Sequence, residues 1–181
     1  MSAKHFRLLA QYNQWMNRKV YDAAMKLEQK SLWEDRGAFF KSVMGTLNHI
    51  MVADLIWLNR YRHHPSAFPE LNHLDSLPKP KALDQMMFAD LAELGAARGR
   101  IDQIIQDWAS NLTDDDLLQP LAYQSTQGQP SSREFGLLLL HFFNHQTHHR
   151  GQVTTLLSQF GVDVGATDLA ILIPEQTSEE S

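Results

Sequence analysis

Apolar residues recur at alternating steps of three and four along most of this chain, which is the period of an α-helix. The spacing constrains the fold because each helix then carries one apolar stripe that must be buried against another element. Four segments show it, residues 3–28, 40–61, 83–108 and 131–160. These four amphipathic segments predict an all-α fold, a four-helix bundle.

The segments between these helices predict how the chain connects them. Pro65 ends the second helix, and the proline-rich polar stretch that follows predicts a long crossover connection between helices two and three. Before the fourth helix, the run LAYQS is expected to form one arm of a small hairpin. Ser131, with Glu134 three residues later, fits a capping box that opens the fourth helix.

Length, charge and apolar content exclude several classes of protein. A chain of 181 residues suits one domain, predicted to cover residues 1–176, with a flexible acidic tail at 177–181. The formal net charge is −5, so we expect no nucleic-acid partner. The longest apolar run, near Phe135 to Phe143, is far below the ~20 residues of a membrane span. The first residues lack the apolar core of a secretory signal, which predicts a cytoplasmic protein.

The chain contains no cysteine. This excludes disulfides, thiolate metal ligands and a thiol nucleophile supplied by the protein. Any sulfur chemistry would therefore need a small-molecule thiol.

Histidines spaced for one helix face suggest a metal site in the fourth helix. His145 and His149 lie four apart, which places their Cβ atoms about 5–6 Å from each other. Both fall within the apolar row, where an unpaired polar ring costs free energy. His49, near the middle of the second helix, is the best third candidate. Three protein nitrogens would leave one metal position open, as catalytic sites require.

Each of these histidines also has a purely structural interpretation. His49 alone could be a core residue that bonds to a backbone carbonyl. The pair His145 and His149 could belong to a polar network or a pH-responsive core. His141 and His148 lie on the flank of the same stripe. Each could donate a hydrogen bond to a metal-binding residue or lie at the surface, and the surface position is favoured.

Two aspartates interrupt otherwise apolar rows. Asp54 and Asp90 could orient a ligand imidazole or accept a proton, and the alternative is a solvated or capping carboxylate. His63, His64 and His73 fall in the crossover connection and are predicted to be exposed.

Residue types exclude two familiar metal sites. A zinc-protease helix needs a glutamate directly after its first histidine, whereas Gln146 follows His145 here. Di-iron bundles need inward-facing glutamates and Glu-x-x-His motifs, which this chain does not supply. What remains is a three-histidine site suited to binding water or a thiol and lowering its pKa.

Four segments resemble one known family, the DinB superfamily, also called the DinB/YfiT-like four-helix bundles. They are LAQYNQWMNRKVYDA from Leu9, DRGAFFKSVMGTLNHIMVADLIWLNRY from Asp35, HFFNHQTHHRGQ from His141 and GVDVGATDLAILIPE from Gly161. The resemblance implies a bundle in which one histidine of the second helix and two of the fourth hold a divalent metal. By position in these motifs, those residues are His49, His145 and His149.

The resemblance also implies a kind of chemistry. Characterised relatives include S-transferases and isomerases that use mycothiol, bacillithiol or glutathione, with the thiol held at the metal as nucleophile. We therefore expect a metal-dependent enzyme acting on a small-molecule electrophile. A non-catalytic metal-binding stress-response protein and a metal-free helical interaction module are the alternatives. Three imidazoles suit zinc or nickel, and also iron or copper. A symmetric homodimer is expected.

Overall fold

Helices make up most of the structure, a computed structural model that describes residues 1–175. In chain order the helices are α1 (Ala3–Ala24), α2 (Gln29–Trp33), α3 (Val43–Tyr61), α4 (Leu91–Asn111), α5 (Asp114–Leu118) and α6 (Phe135–Gln159), and 3₁₀ segments cover Pro69–Ser76 and Leu169–Leu172. Strands β1 (Pro120–Gln124) and β2 (Pro130–Glu134) form a small antiparallel sheet. The all-α prediction is therefore confirmed in its broad form, while the predicted tail at 177–181 lies outside the described residues.

The helices α3 and α6 pack against each other in opposite directions. His49 faces His145, whereas Tyr61, farther along α3, donates a hydrogen bond to the carbonyl of Leu138, which comes earlier in α6, at 3.0 Å. On the other side of the molecule, α1 packs mainly against α4 and α6. The groove between α3 and α6 is the part of the fold that brings the predicted site residues together.

The helices α3 and α4 run in the same direction. Asp54 pairs with Arg98, and farther along both helices Tyr61 stacks on Trp108 with ring centroids 5.5 Å apart. Because α3 has 19 residues, the chain must travel back about 28 Å before α4 can begin. Residues 62–90 make this return, and their 3₁₀ segment packs on α4 and α3.

The first two long helices are shorter than the sequence predicts. The helix α1 ends at Ala24 rather than near residue 28. The helix α3 begins at Val43 rather than at Phe40, because the Ser42 side chain accepts a hydrogen bond from the Gly45 amide at 3.1 Å and caps the helix there.

The third long helix begins about two turns later than predicted. It starts at Leu91, and Leu83, placed in its apolar row from the sequence, is 45% exposed in the preceding loop. Asp90 is the N-cap residue, because its Oδ1 accepts a hydrogen bond from the Glu93 amide at 3.0 Å. Of its two interpretations, the capping carboxylate is therefore correct.

The capping box predicted at the start of the fourth long helix is wrong. Ser131 and Glu134 both lie in β2, where Ser131 pairs with Tyr123 of β1. The helix begins only at Phe135, whose amide donates to the Gln119 carbonyl at 3.0 Å. Backbone pairing with β1 therefore replaces side-chain capping at this point.

His64 was predicted to be exposed and is instead 2% exposed. Its ring lies against Phe68 and Phe135, with centroids 5.0 and 4.3 Å away, because the chain after α3 folds back onto the aromatic core. Burial lowers the pKa of this imidazole. His63 and His73 are exposed, as predicted.

Within residues 1–175, none of the helices is both long enough and apolar enough to span a bilayer.

Candidate metal centre

Three histidines from two facing helices converge in the groove between α3 and α6. His49 comes from the first half of α3, and His145 and His149 lie one turn apart on α6. The Nε2 atoms of His49 and His145 are 3.2 Å apart, and each ring offers a nitrogen within 4.8 Å of the others. The ring of His149 lies 4.5 Å from that of His49 and 4.4 Å from that of His145, centroid to centroid.

The spacing of these nitrogens fits a shared cation. Two imidazoles bound at 2.0–2.1 Å in a tetrahedral site have nitrogens about 3.3 Å apart. The His49–His145 separation of 3.2 Å agrees with that geometry. Three neutral nitrogen donors suit zinc, nickel, copper or iron better than calcium or magnesium. The cluster could therefore hold a divalent ion and leave a coordination position for another ligand.

Phe40 packs on the ring of His49 and also lies edge to face with His149, at 5.5 Å between centroids. The Phe40 and His49 rings stack with centroids 3.8 Å apart and planes within 17°. The Phe40 backbone approaches α3 closely because residue 45 is glycine, where a Cβ would lie 2.0 Å from the Phe40 oxygen. His49 Nδ1 is buried and makes no well-formed hydrogen bond within the described residues, although the Leu83 backbone lies close enough to affect the pKa of the ring. Packing therefore orients this imidazole, while its Nε2 faces the other two rings.

A glutamine that the sequence reasoning missed orients His149. The Oε1 of Gln152 lies 2.9 Å from His149 Nδ1, and its amide Nε2 lies 3.2 Å from His148 Nε2. With His148 accepting from the amide, the Gln152 oxygen is left to accept from Nδ1–H of His149. This network assigns the proton of His149 to Nδ1 and leaves Nε2 as a free donor for a cation. The three-residue spacing on one helix was the available signal.

The other residues predicted to support the site, His141, His148 and Asp54, make no direct hydrogen bond to the three clustered rings. His148 is exposed and reaches His149 through Gln152. His141 is also exposed, and its ring centroid is 6.0 Å from that of His145, with no hydrogen bond to the three-histidine cluster. Asp54 is 1% exposed but makes no hydrogen bond to any of the three rings. The structure thus brings together His49, His145 and His149.

A buried polar network connects the four long helices beneath the histidines. Its members are Asn13 and Asn17 of α1, Asp54 of α3, Arg98 and Asp102 of α4, and Gln146 and Arg150 of α6. Arg98 pairs with Asp54 at 2.5 Å and with Asp102 at 3.0 Å. Gln146 donates to Asp54 at 2.8 Å, and Arg150 donates to Asn13.

This network fixes the rotation of α6 about its own axis. Gln146 directly follows His145, and Arg150 directly follows His149, so anchoring these two side chains inside the core aims the histidines into the groove. Two carboxylates and two guanidinium groups make the network neutral, which limits the penalty for burying charge. Asp54 acts on the cluster only through this packing and through space, not as a direct partner of an imidazole.

Burial keeps the clustered imidazoles neutral. It lowers the pKa of His49 to about 4 and that of His145 to about 3, and the nearby charge of His149 adds to both shifts. A backbone group of Leu83 partly opposes the shift at His49. Burial also lowers the pKa of His149. The nitrogens are therefore unprotonated near neutral pH, as metal binding requires.

The lowered pKa values predict acid sensitivity of the protein after chelator treatment. Unfolded histidines bind protons at a pKa of about 6.5, whereas the folded cluster does so only at lower pH. The folded state therefore binds fewer protons, and the free energy of unfolding should fall as pH drops through about 6.5. Urea unfolding at about pH 7.5 and about pH 5.5 measures this loss. His145→Ala should show a shallower pH dependence, and equal slopes would contradict the assignment to the cluster.

Within residues 1–175, long helices bring three imidazoles together at one point, with no acidic group in the cluster, which defines a helical protein with a three-histidine site that could hold a metal ion. The chain matches the DinB family over residues 1–180 and belongs to this family. Protein DinB of Bacillus subtilis (strain 168) is 24% identical to this chain over 169 residues, which cover 91% of each protein. No solved structure matches this chain.

Proposed function

We propose that this protein is a metal-dependent enzyme in which a four-helix bundle holds a divalent cation, zinc or nickel, through His49, His145 and His149. The observation that supports this most is the convergence of three neutral imidazoles, with Nε2 atoms of His49 and His145 3.2 Å apart. A cation bound in this way lowers the pKa of a thiol or water that occupies its remaining position.

The residues around the cluster favour a thiol over water as the nucleophile. Within residues 1–175 the group of metal-ligating side chains contains histidines only, and the buried Asp54 is occupied by Arg98 and Gln146. No carboxylate is therefore positioned as a general base. A thiol, with a pKa of about 8.5, ionises with much less help than water, at 15.7. Because the chain has no cysteine, the thiol must be a small molecule.

The proposed reaction is thus a thiol-dependent S-transfer or isomerisation of a small electrophile, with mycothiol, bacillithiol or glutathione as the thiol. In this arrangement Gln152 keeps the proton of His149 on Nδ1, and Phe40 holds His49 in place and shields it from water. The buried polar network keeps α6 in register with α3. Each of these residues prepares the site before a substrate enters.

Turnover with purified protein tests this proposal. Protein prepared without a tag or chelator would be assayed with each of the three thiols against alkyl halides, epoxides and α,β-unsaturated acids. We expect turnover that requires both thiol and metal, and that disappears in His149→Ala. Turnover that survives chelation would contradict the proposal. Stoichiometric metal without turnover for any pair would favour the alternative, a non-catalytic metal-binding stress-response protein.

A further inference from the structure

A cavity of about 540 Å³ opens beside the three-histidine cluster, between the end of α3, the start of α6 and the small sheet. Its walls come from Trp57, Tyr123, Arg133, Glu134, Leu137, Leu138 and His141. None of these residues belongs to the cluster itself. We call this space the aromatic cavity.

His141 links the aromatic cavity to the candidate metal centre. Its ring centroid lies 5.1 Å from that of Trp57 on the cavity side and 6.0 Å from that of His145 on the other. The aromatic cavity therefore adjoins the candidate metal centre, with His141 as the residue that lies next to both.

The walls of the aromatic cavity suit a flat apolar group. Trp57 and Tyr123 lie edge to face, with ring centroids 5.5 Å apart, and both side chains are only half-buried. Leu137, at 58% exposure, continues the apolar surface on α6. A pocket with aromatic and aliphatic walls and a few polar groups at its rim is typical of small-molecule sites. An aromatic ring would gain both area burial and stacking here.

Two arginines bring positive charge to the aromatic cavity: Arg133 is one of its walls, and Arg60 is not a wall residue but lies over two rings that are. The guanidinium of Arg60 lies 4.5 Å from the centre of the Trp57 ring and 5.1 Å from that of Tyr123. Within residues 1–175, the Arg133 side chain donates a single hydrogen bond, to the Ser131 hydroxyl at 3.3 Å. Within the described part of the chain, neither guanidinium has a carboxylate within 4.0 Å.

Burial lowers the pKa of Arg60, the direction expected for a cation without an anionic partner. Among the wall residues, Glu134 offsets the charge of Arg133, so the excess positive charge comes from Arg60 beside the walls. The rim is therefore net positive and presents a planar donor group suited to a carboxylate.

We propose that the aromatic cavity binds a small aromatic carboxylate, with its ring against Trp57 and Tyr123 and its carboxylate at Arg60. That this molecule is the electrophilic substrate rests on the proposed function, whereas its binding does not. The residues of this chain would thus select small aromatic carboxylates as the substrate class.

Calorimetric titration with cinnamate tests the binding directly. Cinnamamide serves as the uncharged control, and crotonate serves as the control without an aromatic ring. We expect cinnamate to bind more tightly than either, and Arg60→Met to weaken cinnamate by roughly tenfold or more, the value of a charge-assisted hydrogen bond. Arg60→Met keeps an apolar stem over Trp57, and Arg100→Met, at an exposed position on α4, is the matched control. Thermal unfolding checks that each variant is folded.

The results of these titrations distinguish a failure of the cavity proposal from a failure of the proposed metal-dependent enzyme. Cinnamate should bind to His145→Ala as well as to the wild type, because the aromatic cavity does not need the cation. Binding without any thiol-dependent turnover would leave the aromatic cavity assigned and remove the proposed reaction. If the wild type does not bind cinnamate, or binds cinnamate and cinnamamide with equal affinity, the proposal that the aromatic cavity binds an aromatic carboxylate is wrong. Equal cinnamate affinity in Trp57→Leu and wild type would overturn the stacking role.

Discussion

His145→Ala is expected to remove stoichiometric metal from the protein while leaving its helices intact. His145 lies next to both other rings of the cluster, with its Nε2 3.2 Å from that of His49 and its centroid 4.4 Å from that of His149. Without it, the two remaining imidazoles lack the third nitrogen that a tight site needs. Elemental analysis of protein purified without tag or chelator gives the metal per chain, and circular dichroism gives the helix content.

The matched control for this variant is His141→Ala. His141 lies one turn earlier on the same helix and makes no hydrogen bond to the cluster, so its loss should leave the metal content unchanged. Gln152→Ala should give an intermediate result, with metal affinity about 10–100-fold weaker, because it orients His149 without touching the ion. Full metal retention in His145→Ala would reject the three-histidine centre.

Arg98→Met is expected to lower the free energy of unfolding by about 3–5 kcal/mol. Arg98 is 2% exposed and is the cation that pairs with both Asp54 and Asp102. Methionine fills most of the same space but leaves two buried carboxylates without the cation that pairs with them. Denaturant unfolding of chelator-treated protein measures the change without a contribution from bound metal.

Two further variants identify the cause of that loss. Arg100→Met, at an exposed position on the same helix, should change stability by well under 1 kcal/mol. Adding Asp54→Asn and Asp102→Asn to Arg98→Met should recover part of the loss, because the uncompensated charges are then gone. If the triple variant is no more stable than Arg98→Met, the loss comes from packing and not from unpaired charge.

The candidate site could be predicted from the sequence to the extent that it is local. His145 and His149 share a helix face because of their spacing, so a single helix prediction places them together. His49 joins them only because α3 packs antiparallel to α6, and no local pattern contains that pairing. Its choice as third histidine depended on its position in an apolar helix and on the resemblance to a family.

The residues that support the site could not be predicted in this way. Arg98 was not singled out because an arginine in a helix is ordinarily exposed, and its burial follows from meeting Asp54 across two helices. Phe40 was placed in a helix that begins after it. Ser131 was given a capping role that backbone pairing with Tyr123 excludes. The predicted homodimer and the identity of the thiol stay predictions.

The separation of His49 from His145 along the chain, 96 residues, has a consequence for synthesis. While the ribosome is still making the first five helices, the nascent chain offers a single imidazole of the cluster to any ion. The site is complete only when the last long helix has emerged and docked. Under the proposed function, metal loading would therefore be a post-translational event, and a truncated chain that ends before α6 would not compete with the finished protein for the cellular supply.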